Sequence, residues 1–333
     1  MNNIYNRFFD PDIYAKVNQD NIDLMEDFLL ELKQNKKSPG TISQYKSDIR
    51  GMFCWIYKKL NNRSILELNK KDFRNFSLYL TSDCGLSTSR HNRFLSSVRS
   101  LLSFAENEDD YEYDTNISKK VRGLAKEPVR EIFFLTNEQI LKLRDALIER
   151  KKYQYATLLM LAYDSAGRKA ELSQVKKDSF YDPTKNNTNR VIGKRRKQFS
   201  LVYFSGTKHC ADLWLEQRGK DDIDSLWISG DSEHKHPATK ENIYEWFMHM
   251  RDLLTELEGK ETEFNVHSLR HSCLQALSDN SHYICQELGM KNGFPLEKLK
   301  LIANHSDVST TSHYLKDSTE DELSEMFSIK ISQ

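Results

Sequence analysis

The chain has 333 residues, 38% hydrophobic and 29% charged, and its 49 Lys and Arg balance 49 Asp and Glu for a formal net charge of zero. That length supports two domains with a core each, and the composition lacks the bias of a disordered chain. There is no run of 18 apolar residues and no signal-peptide pattern after Met1, so the expected setting is cytoplasmic.

Residues 1–20 form an aromatic segment (Tyr5, Phe8, Phe9, Tyr14) that packs either on the first domain or on a neighbouring subunit. Four helices are expected over residues 21–106. From Ile22 to Leu32 apolar residues recur at helical spacing (Leu24, Met25, Phe28, Leu29, Leu32). Ser38 is a natural N-cap with Pro39 at the first helical position, and the second helix runs through Thr41, Tyr45, Ile49, Met52 and Phe53 towards Tyr57. The third follows Asn69 as cap and the fourth follows Ser87. Residues 51–100 carry nine Lys and Arg against three Asp and Glu.

An acidic run from Glu106 to Asp114 and a polar stretch beyond it make residues 107–131 an expected interdomain linker. The second domain, 132–333, opens with Thr136 as N-cap and Gln139 at the capping-box position. It is mostly helical, with one interruption. Two strand-like runs, Arg190–Ile192 and Phe199–Phe204, flank Gly193-Lys194-Arg195-Arg196-Lys197, a hairpin loop with four cations at its tip. Residues 151–200 carry twelve Lys and Arg against four Asp and Glu. Two basic patches suit a protein that grips a duplex from two sides, or are two solvated helix faces; charge alone leaves both open. A short amphipathic tail helix is expected at about 319–329. The five cysteines (Cys54, Cys84, Cys210, Cys273, Cys285) form no Cys-x-x-Cys pair, so neither a disulfide framework nor a cysteine zinc site is indicated.

The chemistry concentrates in a few residues. His267 and Arg270 stand at i and i+3, on one side of a helix. Arg168 precedes them, and His305 and Tyr314 follow. A phenol titrates near ~10, so a nucleophilic tyrosine needs cations, a base, or both. The pentacoordinate transition state of phosphodiester cleavage carries extra negative charge that fixed guanidinium forks stabilise.

The order Arg, Lys, His-x-x-Arg, His, Tyr resembles the tyrosine recombinase (phage integrase) family over nearly the whole chain. Ser38-Pro39-Gly40-Thr41 through Tyr45 also looks like the second-helix opening of that family's core-binding domain. The resemblance implies a mainly α fold with a small antiparallel β-hairpin. It comprises an N-terminal four-helix SAM-like core-binding domain and a C-terminal tyrosine-recombinase catalytic domain.

By the same resemblance Tyr314 is the nucleophile, while Arg168 and Arg270 clamp the phosphate. His267 binds the phosphate or relays the tyrosine proton, and His305 completes the set. Lys194 protonates the leaving 5′ oxygen, with Arg195, Arg196 and Lys197 as competitors or phosphate contacts. Glu171 orients Arg168, His271 is structural, and Arg90, Arg93 and Arg99 are candidate DNA contacts. The resemblance further implies no metal or other cofactor. It implies duplex DNA with a specific recombination site, a homo-tetramer on paired sites, accessory DNA-bending or directionality factors, and association with the nucleoid when DNA-bound.

The chain departs from the family pattern in three places. Gly167 sits directly before Arg168, and Ala170 replaces a small hydroxyl residue. Asn304 stands where a glycine is common, and asparagine tolerates the left-handed conformation better than most residues. His267 and His305 are 38 positions apart, a long spacing, with the extra material expected as a surface elaboration at Asp279–Phe294.

Two other functions share parts of this kit: a type IB topoisomerase, and a DNA-binding protein that has lost catalysis. A zinc site from His267, His271 and His305 or His313 has allowed spacing. Ser268, however, stands where a zinc protease carries its glutamate.

Overall fold

A computed structural model describes residues 8–125, 133–231, 233–304, 311, 314 and 315, with Arg195 described by its backbone alone. The chain divides into two compact units, residues 1–129 and 130–333.

The first unit is helical: α1 (Pro11–Tyr14), α2 (Gln19–Gln34), α3 (Pro39–Lys59), α4 (Lys70–Leu78) and α5 (Thr88–Asn107). Their starts follow from local capping. Ser38 Oγ accepts from the Thr41 N–H at 3.1 Å, Asn69 and Asp72 form a reciprocal capping box, and Ser87 caps α5. Helix α2 begins three residues before Ile22, because Asn18 caps it. The apolar faces meet in a core that includes Phe28, Ile49, Phe53, Phe73, Phe76, Phe94 and Leu101.

The aromatic segment packs on its own unit from Phe8 onward. Phe8 meets Phe94 at 5.9 Å between ring centroids, and the Arg50 guanidinium lies 3.7 Å over Phe9 and 4.6 Å over Tyr14. Tyr5 lies outside the described residues.

Residues 107–121, read from sequence as linker, are part of this unit. Tyr113 and Val121 enter its core, and buried Asn116 donates to the Arg99 carbonyl and the Ser103 hydroxyl, each at 3.0 Å. The acidic residues around them masked an aromatic and aliphatic series that buries.

The second unit contains α6 (Asn137–Glu149), α7 (Tyr153–Ser165), α8 (Lys169–Leu172), β1 (Asn187–Ile192), β2 (Gln198–Val202) and α9 (Ser205–Arg218). It continues with β3 (Ile228–Ser229), β4 (His236–Pro237), α10 (Lys240–Glu258), α11 (Val266–Ser278), α12 (Tyr283–Glu287) and α13 (Leu296–Ile302). Helix α7 is buried on all sides from Ala156 to Ser165 and packs on α6, α9 and α11, as an all-round apolar helix must. Strands β1 and β2 pair antiparallel with Arg190 opposite Ser200 and Ile192 opposite Gln198, and β3 pairs with β4 in a separate two-stranded ribbon. No helix of the described residues is long and apolar enough to cross a membrane.

The extra segment 279–294 is only partly a surface elaboration, because residues 282–285 are buried. His282 and Cys285 have no solvent exposure, and Tyr283 and Ile284 are buried beside them. The His282 ring stacks on Tyr163 at 4.2 Å. The rest of the segment stays largely at the surface, with Asp279, Ser281, Gln286, Glu287, Leu288, Gly289, Lys291 and Asn292 exposed.

Candidate active site

Two short local structures present the arginines. Helix α7 ends at Ala166, which takes the left-handed conformation (φ 50°) in place of a glycine. The chain then turns through Gly167 into Arg168, which precedes α8. The Arg168 N–H donates to Glu171 Oε2 at 2.8 Å, and its guanidinium donates to Glu171 Oε1 at 3.0 Å. Glu171 is thus a buried carboxylate holding both ends of Arg168, and a fixed fork is what bidentate phosphate recognition requires.

Helix α11 starts at Asn265, whose side chain accepts from the N–H groups of His267 and Ser268 in a capping box. This start places His267, Arg270 and His271 on one side. Arg270 is 1% exposed. It donates to the Ala303 carbonyl at 2.6 Å and to the Ala166 carbonyl. Arg270 therefore joins the α7 turn to the end of α13, two places far apart in sequence. Burial and the Arg168 charge lower its pKa, and the Tyr314 side chain, which accepts a hydrogen bond from it, works against that shift.

Tyr314 closes the cluster. Its ring lies over Arg270, with the guanidinium carbon 5.1 Å from the ring centroid. His271 stacks on it at 4.4 Å, and His267 meets it edge-on at 5.5 Å. His271 Nδ1 also lies 3.2 Å from the Tyr314 carbonyl, so this ring fixes both the side chain and the backbone of the tyrosine. Sequence reasoning left His271 as merely structural; its i+4 spacing from His267 was the available signal for a shared face.

The surroundings of both imidazoles disfavour the charged form. Burial lowers His267, followed by the charges of Arg270 and Arg168. Burial pushes His271 down to about 4. An imidazole in its neutral form has one nitrogen able to accept a proton.

The cationic hairpin meets the same place through Gly193. A Cβ there would stand 2.6 Å from the Phe199 ring and 3.0 Å from Glu171 Oε1, so only glycine lets the strand end lie against the carboxylate that holds Arg168. Lys194, Arg196 and Lys197 at the tip are exposed. The structure thus brings together Arg168, Glu171, His267, Arg270 and Tyr314, with Lys194 adjacent through Gly193. His305 and the tail at 319–329 lie outside the described residues. Asn304, just before His305, has φ 53°.

In the first unit, Arg90 and Arg99, candidate DNA contacts by sequence, both have partners within the protein. Arg90 pairs with the fully buried Asp48 at 2.7 Å, and Arg99 donates to the carbonyls of Ser118 and Val121 at 3.4 and 2.5 Å. Buried acceptors nearby claimed both guanidinium groups. Arg93 is exposed and lines an open cleft with Ser38, Thr41, Gln44, Tyr45 and Ser96. Among the described residues, no group of three His, Cys, Asp or Glu side chains is disposed to hold a metal ion.

This arrangement sets two arginines and two imidazoles around one tyrosine on a helical unit, a grouping whose chemistry suits a phosphodiester. The phage integrase family model matches residues 133–321, and the model of the phage integrase N-terminal SAM-like domain matches residues 25–109. The chain belongs to the phage integrase family, the tyrosine site-specific recombinases.

Among relatives, it is similar to the SPbeta prophage-derived recombinase-like protein YomM of Bacillus subtilis (strain 168), 26% identical over 95% of this chain and 93% of that one. A tyrosine recombinase of Thermosipho africanus is 22% identical over 88% of this chain and 94% of its own. A lambda integrase tetramer bound to a Holliday junction shares the fold at a TM-score of 0.63 and 16% identity, over 89% of this chain and 77% of that one.

Proposed function

We propose that this recombinase cuts one strand of a specific duplex site with Tyr314, carries it as a 3′-phosphotyrosyl adduct, and rejoins it to a partner strand through a Holliday junction. The observation that carries this reading is the Tyr314 ring seated over Arg270 between His267 and His271.

In this scheme the phenol oxygen attacks phosphorus and its proton passes to neutral His267. Arg168 and Arg270 bind the non-bridging oxygens as their charge grows, and Glu171 keeps Arg168 in place. The bond from phosphorus to the 5′ oxygen breaks, and Lys194 gives that oxygen a proton, leaving a free 5′ hydroxyl. The hydroxyl of the partner strand reverses the sequence, so bond energy is conserved and no cofactor is consumed. His305 is assigned to the same phosphate by the family pattern.

The exposed tip residues Arg196 and Lys197, with Arg195 between them and the hairpin Lys194 in sequence, and Arg93 on the first unit, contact DNA phosphates or bases. A homo-tetramer on paired sites is the working assembly, supported by the tetrameric state of the lambda integrase structure with this fold. The prophage origin of the Bacillus relative supports integration and excision of a mobile element as the biological act.

The test is covalent trapping. Nicked duplexes tiled from DNA flanking the protein's own gene are incubated with wild type and with Tyr314→Phe, then run on denaturing gels. An adduct with wild type alone establishes the nucleophile and locates the site. Tight DNA binding without an adduct on any fragment overturns the reading.

A further inference from the structure

Beneath the arginine turn lies a buried carboxylate that the strand-cutting scheme does not use. Asp164, on α7 four residues before Arg168, has no solvent exposure. Helix α9 begins without a side-chain cap of its own, since the Phe204 side chain has no acceptor for the first-turn N–H groups. Asp164 supplies one from a different element: its Oδ2 accepts from the Phe204 N–H at 2.9 Å and from the Thr207 hydroxyl at 2.5 Å.

Tyr283 of α12 completes the junction. Its hydroxyl donates to Asp164 Oδ1 at 2.8 Å and accepts from the Gly206 N–H at 3.1 Å. A Cβ on Gly206 would stand 2.9 Å from that hydroxyl and 2.6 Å from the Met160 methyl, so the phenol enters only because residue 206 is glycine.

The groups facing Asp164 are Tyr163 on its own helix, Cys210 on α9, Cys273 on α11 and Tyr283 on α12. All are phenols and thiols pushed up by burial, and among the described residues no ion pair reaches the carboxylate. Burial pushes Asp164 itself up to about 6. A buried charge held only by neutral donors lowers stability relative to an apolar replacement, so its value lies in the geometry it imposes.

That geometry joins two parts of the site. Phe204 lies two residues beyond the end of β2, the outgoing strand of the cationic hairpin. Asp164 lies on the helix that leads into Arg168. We infer that Asp164 is a positioning residue: through Phe204, Thr207 and Tyr283 it fixes strand β2, and with it Lys194 at the hairpin tip, against the Arg168 turn. This rests on the roles proposed above for Tyr314 and Lys194.

The test compares single-turnover cleavage of two saturating DNA substrates, one with the ordinary 5′ oxygen and one with a bridging 5′ sulfur. A thiolate leaves without protonation, so the sulfur substrate bypasses Lys194. Asp164→Asn keeps the shape, removes the charge and turns one acceptor into a donor. It is expected to cleave the ordinary substrate about tenfold slower or worse, and the sulfur substrate within about twofold of wild type. Lys194→Ala shows the same split, and Tyr283→Phe, which keeps the buried ring, shows it in smaller measure.

Wild-type cleavage of the ordinary substrate by Asp164→Asn overturns the inference. So does an equal loss on both substrates, which is also what a poorly folded variant gives. Absence of any adduct with the wild-type protein overturns the function proposed above instead.

Discussion

The Tyr314 ring sits over the same guanidinium, that of Arg270, whose other donors hold the carbonyls of Ala166 and Ala303. Arg270 is therefore a structural bolt as well as the proposed phosphate ligand, and Arg270 and Arg168 should separate in a combined stability and cleavage experiment. Arg270→Ala leaves two buried carbonyls unpaired and is expected to cost about 3–5 kcal/mol of stability. Arg168→Ala removes a partly exposed partner of Glu171 and costs about 1–2 kcal/mol. Both lower the cleavage rate by about 10²–10³-fold. Urea unfolding alongside single-turnover cleavage checks the contrast, and equal stability losses would contradict the bolt.

Gly193 provides a second test. Its missing side chain lets the hairpin approach Glu171 and Phe199. Gly193→Ala forces the strand end outward, costing about 1–3 kcal/mol by overpacking. Cleavage falls, while DNA affinity holds because the four tip cations remain. A variant that cuts at the wild-type rate would show that the close approach is incidental.

The pH dependence of stability has two opposed parts. Asp164 is raised from its usual range to about 6, so the folded state binds its proton more tightly. Its penalty is absent below pH ~4 and grows as pH rises to ~6, to about 3 kcal/mol from the size of the shift. His271 and His282 are lowered to about 4 and about 3, so the unfolded state binds their protons more tightly and acid destabilises the fold. The difference between wild type and Asp164→Asn isolates the first part. The variant should gain on wild type as pH rises from 4 to 7 in denaturant titrations, and a difference that is flat with pH would refute the assignment.

A last prediction concerns a staple away from the site. Fully buried Arg218 grips Asp221 through two nitrogens at 2.5 and 2.7 Å and donates to the carbonyls of Ile223, Ser225 and Leu226. The Arg218 hydrogen bonds hold the Asp221 carboxyl well below the usual carboxylate range, so this stabilisation persists above pH ~4 and is lost in stronger acid. Arg218→Ala is expected to cost about 3–5 kcal/mol and to leave cleavage per folded molecule unchanged. Thermal melting with active-site titration by adduct yield measures both.

Much of this was legible in the chain before any coordinates. Ser38, Asn69, Ser87 and Thr136 marked helix starts because a cap bonds within three residues of itself, an interaction wholly contained in local sequence. The hairpin between Val191 and Phe199 was visible for the same reason. The candidate site residues stood out as a set because their order resembles that of the tyrosine recombinase family and their types suit phosphodiester cleavage by a tyrosine. Asn304 before His305 signalled a left-handed turn, and its φ is 53°.

Other features depended on which distant residues the fold makes neighbours. Nothing within four positions of Arg90 or Arg99 announces that buried Asp48 and the 118–121 carbonyls take their guanidinium groups. The 279–294 segment, polar enough to pass for a surface loop, buries His282 and Tyr283 because Tyr163, Asn137 and Asp164 offer ring faces and hydrogen-bond partners. The sequence by itself determined the helices, their caps, the hairpin and the chemical kit, since these obey short-range rules. Only the tertiary structure decided that Arg270 bolts two distant carbonyls beneath Tyr314 and that Asp164 joins hairpin to helix, because buried polar groups must find partners wherever the folded chain brings them.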